Sequence, residues 1–371
     1  MDRDQMKNIQ GYILCAVFVL ALALGGLLLF LLPHETYSES ERRLLAGAPE
    51  WSCDEVMSGG FFERADKWAG DHFEGREWFR RIKALWHTQV LREPENNGLA
   101  VVGGSIVKLE KEIDGESLSY AAGCFRGIYN EYLADTDCKL YCALIPDKSY
   151  FLAGRGYPVM DIEEMERAFY GALPEALPIP VKDALTLNDY YATDSHWRQD
   201  RILDAANVLL AYMGGEGDLK IEEFEEKSYE PFYGVYAAQS ALNPSPDVIR
   251  YFEGGPLEGA RLLDYGTMEI LPLYDPDECD ERDPYTLFLG GPKGFLRIEN
   301  PNVTDGSRLV IFRDSFGSSI APLLAARYSS VTLIDTRYIR PPVIRRFLRF
   351  EDQDVLFLYS ATLLNNSQGL N

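Results

Sequence analysis

An alternation of apolar strands and helices over residues 308–359 constrains the fold more than any other feature of the sequence. Short apolar runs bounded by polar turns predict buried strands, and the longer segments between them predict helices. The predicted order is strand Arg308–Phe312, helix Ser318–Tyr328, strand Val331–Asp335, helix Pro341–Phe350 and strand Asp354–Tyr359. Each strand–helix–strand unit joins two parallel strands by a crossover. The pattern therefore predicts an α/β fold in which helices cover both faces of a parallel sheet.

Further elements are predicted upstream of this region. They are a helix over Phe61–Leu91, a hairpin around Asn97–Gly104, a helix over Leu118–Leu133, a strand over Lys139–Pro146, and helices over Asp161–Leu173 and Gln199–Met213. Residues 216–300 contain many Gly, Pro and Tyr residues, which predicts an irregular β-rich insertion. The predicted organisation is a tail at 1–11, an apolar helix at 12–32, a stalk at 33–60, one large domain at 61–360 and a second tail at 361–371.

Tyr12–Leu32 contains no charged residue. About 20 apolar residues are needed to cross a bilayer, whereas the apolar core of a signal peptide has about 7–15 residues and ends at a small-residue cleavage site. Pro33 and His34 follow the run directly, without such a site. The run therefore predicts an uncleaved transmembrane anchor rather than a signal peptide or a buried core helix.

The orientation of this anchor is predicted from its short N-terminal tail. Arg3 and Lys7 precede the run and Arg42 and Arg43 follow it, so the positive-inside rule does not decide between the two orientations. A short tail before a single anchor favours the N-terminus inside the cell. The domain would then be extracellular or periplasmic.

Composition excludes some classes of function. The formal net charge of −22 would repel a nucleic acid over most of the surface. Five of the six cysteines lie outside the apolar run, but Cys138 and Cys142 do not form a C-x-x-C pair and have no histidine nearby. A zinc site is therefore not expected, and one disulfide among these cysteines stays an open alternative.

Ser315 lies where the strand Arg308–Phe312 ends and the next helix begins. Functional sites of parallel sheets form at this edge, and a serine in such a turn can act as a nucleophile, with the helix N-terminus stabilising an oxyanion. The alternative interpretation is that Ser315 or Ser318 only caps the helix. The choice depends on whether the chain also supplies a base, because a serine hydroxyl alone is a weak nucleophile.

His196 is the best candidate for that base. It follows Asp194 by two residues, and in an extended segment residues i and i+2 face the same side. Asp194 could then orient the imidazole ring and stabilise its protonated form, as the third member of a triad does. A purely structural His–Asp pair is the alternative.

Several motifs together resemble a known family. "TDSHW" at 193–197 resembles the motif of the DHHW family of bacterial membrane-anchored proteins, which are related to the SGNH-like domains of alginate O-acetyltransferases. The other similar segments, in chain order, are "SESERRLLAGAPEW", "WAGDHFEGREWF", "NNGLAVVGG", "IPDKSYFL", "LVIFRDSFGSSIAPLLA" and "DTRYI". They extend the resemblance over roughly residues 39–360. Ser195 stands where the family motif has a second histidine.

The resemblance implies a fold and an activity. The fold would be an SGNH-hydrolase-like α/β domain with a circularly permuted order, because here the Asp-x-His pair precedes the serine. Ser315 would be the nucleophile, His196 the general base and Asp194 the residue that orients it. The activity would be an O-acetyltransferase or acetylesterase acting on hydroxyls of a cell-surface or exported polysaccharide, without a metal or organic cofactor. A multi-pass membrane O-acyltransferase would be the partner that supplies the acyl group. The alternative is a catalytically inactive glycan-binding or scaffold module of a polysaccharide export or modification complex.

Three further residues are candidates for substrate binding. Trp197 could stack on a sugar ring or pack in the core. Arg313 could bind an acidic sugar, although an ion pair with Asp314 is the favoured interpretation. Lys148 could face the site from the end of its strand or lie on the surface. The oxyanion-stabilising glycine and asparagine blocks of SGNH hydrolases are not recognisable in the sequence; Asn96, Asn97 and Asn300 are the candidate donors.

Overall fold

The structure is a computed structural model that describes residues 3–38, 41, 43–215 and 217–371, with side chains from Ile9 onward. The first two residues of the predicted tail, residues 39, 40 and 42 of the predicted stalk, and residue 216 at the start of the predicted insertion lie outside the described residues. The side chains of Arg3 and Lys7, which entered the prediction of orientation, also lie outside them.

The chain divides into two compact units. The N-terminal unit comprises Met1–Glu93 together with Ala238–Asn243, and the sheet unit comprises Pro94–Ala237 together with Pro244–Asn371. The boundary at residue 93 differs from the predicted start of the large domain at residue 61. The helices that follow the stalk therefore group with the apolar helix rather than with the sheet.

The N-terminal unit is mainly helical. Its elements are α1 (Arg3–Leu31), β1 (Tyr37–Ser38), β2 (Arg43–Leu44), α2 (Cys53–Ser58), α3 (Gly60–His72) and α4 (Arg76–Leu85), which continues as a π-helical turn at Trp86–Val90. The predicted helix at Phe61–Leu91 is thus divided at residues 73–75, where Gly75 has a φ of 80°. Within α1, residues Ile9–Leu31 have a mean hydropathy of 2.9, and the helix is long and apolar enough to cross a membrane.

A network of charged residues connects the β1–β2 hairpin to α3 and α4. Asp71 accepts hydrogen bonds from the Arg43 guanidinium and from the Ala46 N–H. The bond from Arg43 is the main reason why the pKa of Asp71 falls to about 2. Glu41 pairs with Arg76 at 2.6 Å. The "DHFEGR" segment, which resembles the family motif, therefore has a structural role in this unit.

The sheet unit contains the remaining elements. They are β3 (Leu99–Val102), β4 (Ser105–Lys108), α5 (Gly115–Ile128), β5 (Lys139–Ile145), α6 (Ile162–Ala172), β6 (Leu177–Pro178), α7 (Leu203–Tyr212), β7 (Glu225–Phe232), α8 (Val235–Ser240, which begins in this unit), β8 (Asp247–Glu253), β9 (Arg261–Asp264), β10 (Glu269–Leu271), β11 (Phe295–Glu299), β12 (Arg308–Arg313), α9 (Gly317–Ala325), β13 (Ser330–Ile334), α10 (Pro341–Ile344), β14 (Asp354–Ser360) and α11 (Ala361–Leu364).

Eight of these strands form one mixed sheet in the order β10-β9-β11-β13-β12-β14-β5-β6. The strands from β13 to β6 are parallel, and β12 lies between its two parallel neighbours, with Val310 opposite Thr332 and Val355. Strands β11, β9 and β10 are antiparallel and extend the other edge. The predicted α/β fold with a parallel sheet is confirmed for the central strands.

Alternate residues of β12 divide the core into two layers. Leu309 and Ile311 pack in one hydrophobic cluster with α7 and α9, whereas Val310 and Phe312 pack in the other with α5 and α6. A strand whose residues are apolar on both faces is expected where helices cover both sides of a sheet. The packing therefore fixes the end of β12, and with it Ser315, at the carboxyl edge of the central strands.

Two further regions differ from the sequence prediction. The region 216–300, predicted as an insertion, forms the β7–β8 hairpin and also supplies β9, β10 and β11 to the main sheet. The predicted helix at Pro341–Phe350 is helical only over Pro341–Ile344. Among the described residues all six cysteines are free, so the alternative of a disulfide is not realised in this structure.

Candidate active site

Ser315 lies in the tight turn between β12 and α9. The Phe316 N–H donates to the Asp314 carboxylate, and the Gly317 N–H donates to the Asp314 carbonyl. A Cβ atom at Gly317 would lie 2.7 Å from Cβ of Arg313, so the close return of the chain requires glycine at this position. The turn leaves Ser315 partly exposed, although every residue of α9 is buried.

Asp194 and His196 lie in a short loop rather than in the extended segment assumed in the sequence analysis. Tyr190 and Trp197 form an antiparallel bridge, and residues 192–196 are a series of bends. The His196 backbone N–H donates to Oδ1 of Asp194 at 2.9 Å. This local turn, of the kind that aspartate favours, brings the two side chains to the same side.

The three side chains predicted as a triad are joined by hydrogen bonds. His196 Nε2 is 2.8 Å from Ser315 Oγ, and His196 Nδ1 is 2.6 Å from Asp194 Oδ1. Because a carboxylate only accepts, the Asp194 contact places the imidazole proton on Nδ1 and leaves Nε2 to accept the Ser315 proton. This arrangement can activate a serine hydroxyl for nucleophilic attack.

Asp194 is held in its ionised form. Burial alone would raise the pKa of this carboxyl, but the nearby His196 ring and the hydrogen bonds from His196 and the Val235 N–H outweigh it and lower the pKa well below the ordinary value. The Val235 N–H donates to Oδ2 at 2.9 Å, on the side opposite to His196. Asp194 can therefore stabilise an imidazolium ion on His196 without taking its proton.

Tyr285 stacks on the His196 ring, a contact that sequence reasoning missed. The two ring centroids are 3.9 Å apart and their planes differ by 11°. The Tyr285 hydroxyl donates to Ser319 Oγ in α9, which fixes the phenol relative to the serine turn. An aromatic face can stabilise a neighbouring cation, so Tyr285 restricts the imidazole and lies where it can stabilise the imidazolium ion formed when His196 accepts a proton.

Lys148 is buried and supports the loop that carries Asp194. Its Nζ donates to the carbonyl oxygens of Ile106, Tyr191 and Asp194 at 2.6, 2.7 and 3.1 Å. Burial lowers the pKa of Lys148 to about 7, against the attraction of the Asp194 and Asp247 carboxylates. These carbonyls occupy the donors of Lys148, and only 3% of the residue is exposed. Lys148 therefore neither lies on the surface nor is available to bind a substrate, and both interpretations from the sequence are wrong.

Asp247 and Gly234 also shape this loop, and the sequence analysis missed both. The Asp247 carboxylate accepts from the N–H groups of Ala192 and Thr193 at 2.9 and 2.7 Å. A Cβ atom at Gly234 would lie 2.3 Å from Cβ of Asp194, so only glycine allows this approach. Neither residue belongs to a local motif, because both reach the loop from distant parts of the chain.

Trp197 is fully buried and cannot stack on a sugar. Its indole N–H donates to Ser319 Oγ at 2.8 Å and to the Phe316 carbonyl at 3.1 Å. The predicted substrate-stacking role is therefore replaced by a structural one. Trp197, which directly follows His196, connects the loop of His196 to the turn that carries Ser315.

Arg313 is also buried, with 1% of the residue exposed. It donates to Ser318 Oγ at 2.9 Å and lies 3.7 Å from the Asp335 carboxylate. The Asp314 carboxylate instead accepts from the N–H groups of Phe316 and Ser360. The favoured prediction of an ion pair with Asp314 is therefore wrong, because the carboxylate near Arg313 is that of Asp335. The burial of Arg313 is also incompatible with the binding of an acidic sugar.

The predicted oxyanion donors are not all available. The N–H groups of Phe316, Gly317 and Ser318 bond within the turn. The Asn300 amide donates to the carbonyls of Pro256 and Ala325, and Ala325 is the last residue of α9, at the opposite end of that helix from Ser315. Asn300 is therefore removed from the candidates.

A family model described as "DHHW protein" matches residues 185–334, a segment that contains Asp194, His196 and Ser315. This match confirms the resemblance to the DHHW family that the motifs indicated. Comparison with curated protein sequences gave no match.

Solved structures share the fold over most of the chain. A DHHW family protein from Eubacterium siraeum has 19% sequence identity and a TM-score of 0.60, with 74% of this chain and 95% of that chain covered. PatB1 from Bacillus cereus has 17% identity and a TM-score of 0.59, with 72% and 97% covered. PatB1 has also been solved with a sulfonyl adduct, and that structure gives a TM-score of 0.56 at the same identity and coverage. At such identities the similarity establishes the shared fold.

Proposed function

We propose that this chain is a membrane-anchored O-acetyltransferase or acetylesterase that acts on hydroxyls of a cell-surface or exported polysaccharide. The observation that carries the proposal is the hydrogen-bond chain from Asp194 through His196 to Ser315. The resemblance to the DHHW family and to the SGNH-like domains of alginate O-acetyltransferases supplies the class of acyl group and acceptor. SGNH-like chemistry of this kind requires neither a metal nor an organic cofactor.

The proposed reaction has two steps that use the same base. Ser315 Oγ attacks the acyl carbon while its proton moves to His196 Nε2, and the donor oxygen leaves with that proton. In the second step an acceptor hydroxyl gives its proton to Nε2 and attacks the acyl carbon. The bond from that carbon to Ser315 Oγ then breaks, and Oγ takes the proton from Nε2, which restores the Ser315 hydroxyl. A sugar hydroxyl as acceptor makes the enzyme a transferase, and water makes it an esterase.

The proposed location follows from α1. The helix would anchor the chain with its N-terminus inside the cell and the sheet unit in the extracellular or periplasmic space. A multi-pass membrane O-acyltransferase would then bring acyl groups across the membrane to Ser315. Such a partner would account for how an enzyme on this side of the membrane obtains its acyl donor.

The decisive experiment measures acetylation of surface glycans in a strain that carries only Ser315→Ala. Catalysis by this chain predicts loss of the acetyl groups at normal protein abundance. A scaffold or glycan-binding module predicts that acetylation survives Ser315→Ala and is lost only when the whole gene is deleted. Labelling of the wild-type protein by a fluorophosphonate, absent in Ser315→Ala, would independently support an activated serine.

A further inference from the structure

Helix α4 presents an apolar face that the described residues of its own N-terminal unit leave exposed. Trp78, Phe79, Ile82, Leu85 and Trp86 are each between 36% and 62% exposed. At the 3.6 residues per turn of an α-helix, these five side chains occupy one continuous arc of about 120°. A contiguous exposed face of this size marks a site of interaction with a protein or a membrane.

The opposite side of α4 faces the rest of the N-terminal unit. Ala84 is buried, and Arg76 and Arg80 are only 19% and 18% exposed as they pair with Glu41. The apolar arc is therefore the outer side of a helix whose inner side is already occupied.

The arc is continuous with the apolar helix α1. The Phe73 ring lies 3.9 Å from where a Cβ atom at Gly25 would be. Gly25 is six residues before the end of α1, which is about 9 Å along a helix axis. Phe73 in turn contacts Phe79 of the arc, with ring centroids 5.5 Å apart. If α1 crosses the bilayer, the start of α4 lies at the same depth in the membrane as the last turns of α1.

The charges of α4 also suit a lipid surface. The helix carries four basic side chains and one acidic side chain, although the whole chain has a net charge of −22. By the same helical geometry, Arg81 and Lys83 project on either side of the apolar arc, about 40° beyond its edges. This position would let the two cations reach lipid headgroups while the arc is buried, as in interfacial helices.

We infer that α4 lies in the headgroup region of the leaflet at the carboxyl end of α1, with its apolar arc directed into the lipid. The inference rests on the proposed anchoring by α1. Tryptophan at this depth is typical of membrane interfaces, and an interfacial helix buries its apolar face about 5–10 Å into the headgroup and acyl boundary. The occupant of the arc is thus the bilayer itself, with a preference for anionic lipids.

Tryptophan fluorescence of the full-length protein in vesicles tests this inference. The vesicles contain phosphatidylcholine and phosphatidylglycerol, with or without a phosphatidylcholine brominated on the acyl chain near the headgroup. Bromolipid should quench the wild-type emission, and the double variant Trp78→Phe/Trp86→Phe should lose more than half of the quenched intensity. Trp51→Phe is the matched control because Trp51 is 71% exposed but lies outside α4; it should leave the bromolipid-quenched intensity unchanged.

The emission lost in the double variant identifies what covers the arc. If aqueous iodide quenches the emission of Trp78 and Trp86 and bromolipid does not, the arc faces water. If neither quencher reaches it, a second copy or another protein covers the arc. Either result overturns the inference. Carbonate extraction tests the anchor separately: wild-type protein that resists extraction while iodide quenches Trp78 and Trp86 would leave the anchor intact and refute only the interfacial position of α4.

Discussion

At the scale of single residues, Ser315 and His196 serve one proton transfer, so their contributions to the rate should not add. Ser315→Ala removes one oxygen from a partly exposed turn, and we expect the free energy of unfolding to change by no more than about 1 kcal/mol. The rate of acetyl transfer or release should fall by about 10³-fold or more. His196→Ala should lose about as much, and the double variant should be little slower than either single variant. Kinetics on an acetylated oligosaccharide measure this, and multiplicative losses would contradict a shared step.

Tyr285 offers a second test at this scale, because its ring lies on the face of the imidazole. A cation–π contact is worth about 0.5–2 kcal/mol, which corresponds to a rate change of about 2–30-fold. We expect Tyr285→Leu to lower kcat within this range and to leave KM nearly unchanged. Tyr285→Phe keeps the stacked ring and loses only the bond to Ser319, so it should retain most of the wild-type kcat. Equal losses in the two variants would show that the hydroxyl, not the stacked face, is responsible.

At the scale of elements, the turn that follows β5 predicts how stability depends on pH. Burial raises the pKa of Asp147 to about 6, although the hydrogen bond from the Ser149 N–H opposes the shift. A raised carboxyl pKa means that protonated Asp147 favours the folded state. Its contribution to the free energy of unfolding is complete below about pH 4 and is lost as the pH rises through about 6. Above that pH the fold contains a buried charge.

Asp147→Asn should therefore gain stability relative to the wild type as the pH increases. Asparagine also caps a helical turn well, so the bond from the Ser149 N–H can be kept. The difference in unfolding free energy should grow by about 3 kcal/mol between pH 4 and pH 7, from a shift of about two pKa units. Denaturant unfolding in detergent at the two pH values measures it, and a difference that is independent of pH would contradict a raised pKa of Asp147.

The elements that could be predicted are those encoded by local sequence. Strands β12, β13 and β14 are continuous apolar runs, and the turn at Ser315 follows from the abrupt change in composition after Phe312. The short loop at residues 192–196 was not predicted, since its bends depend on Lys148 and Asp247 holding its backbone. A hydrogen bond between segments that are far apart in the chain leaves no periodic pattern in either segment.

The same reasoning explains the errors at Trp197 and Arg313. A tryptophan or an arginine beside a catalytic motif has the same sequence context whether its side chain points into a cleft or into the core. Only the packing of α9 decides, because Ser318 and Ser319 accept hydrogen bonds from Arg313 and Trp197 respectively. Likewise, the antiparallel strands β9 and β11 join the main sheet through long-range pairing that composition alone could not indicate.

At the scale of the whole molecule, the proposed orientation can be tested with the native cysteines. Cys53 in α2 is exposed and lies beyond the end of α1, whereas Cys142 is buried and Cys15 lies within the apolar helix. If the N-terminus is inside the cell, Cys53 is on the outer side of the membrane. A membrane-impermeant maleimide added to intact cells should then label the full-length protein, and Cys53→Ser should remove most of that label.

A control must show that the label reports the side of the membrane on which Cys53 lies, and not only the reactivity of its thiol. Cys124, Cys138 and Cys279 are partly exposed in the sheet unit, so they provide a slower signal that should appear on the same side as that of Cys53. If labelling requires lysis of the cells, both units face the cytoplasm. Acetyl groups would then be transferred before the polysaccharide is exported, and no membrane partner would be needed to carry the acyl group across. Labelling of intact cells instead keeps Ser315 on the side where only an exported acyl donor can reach it.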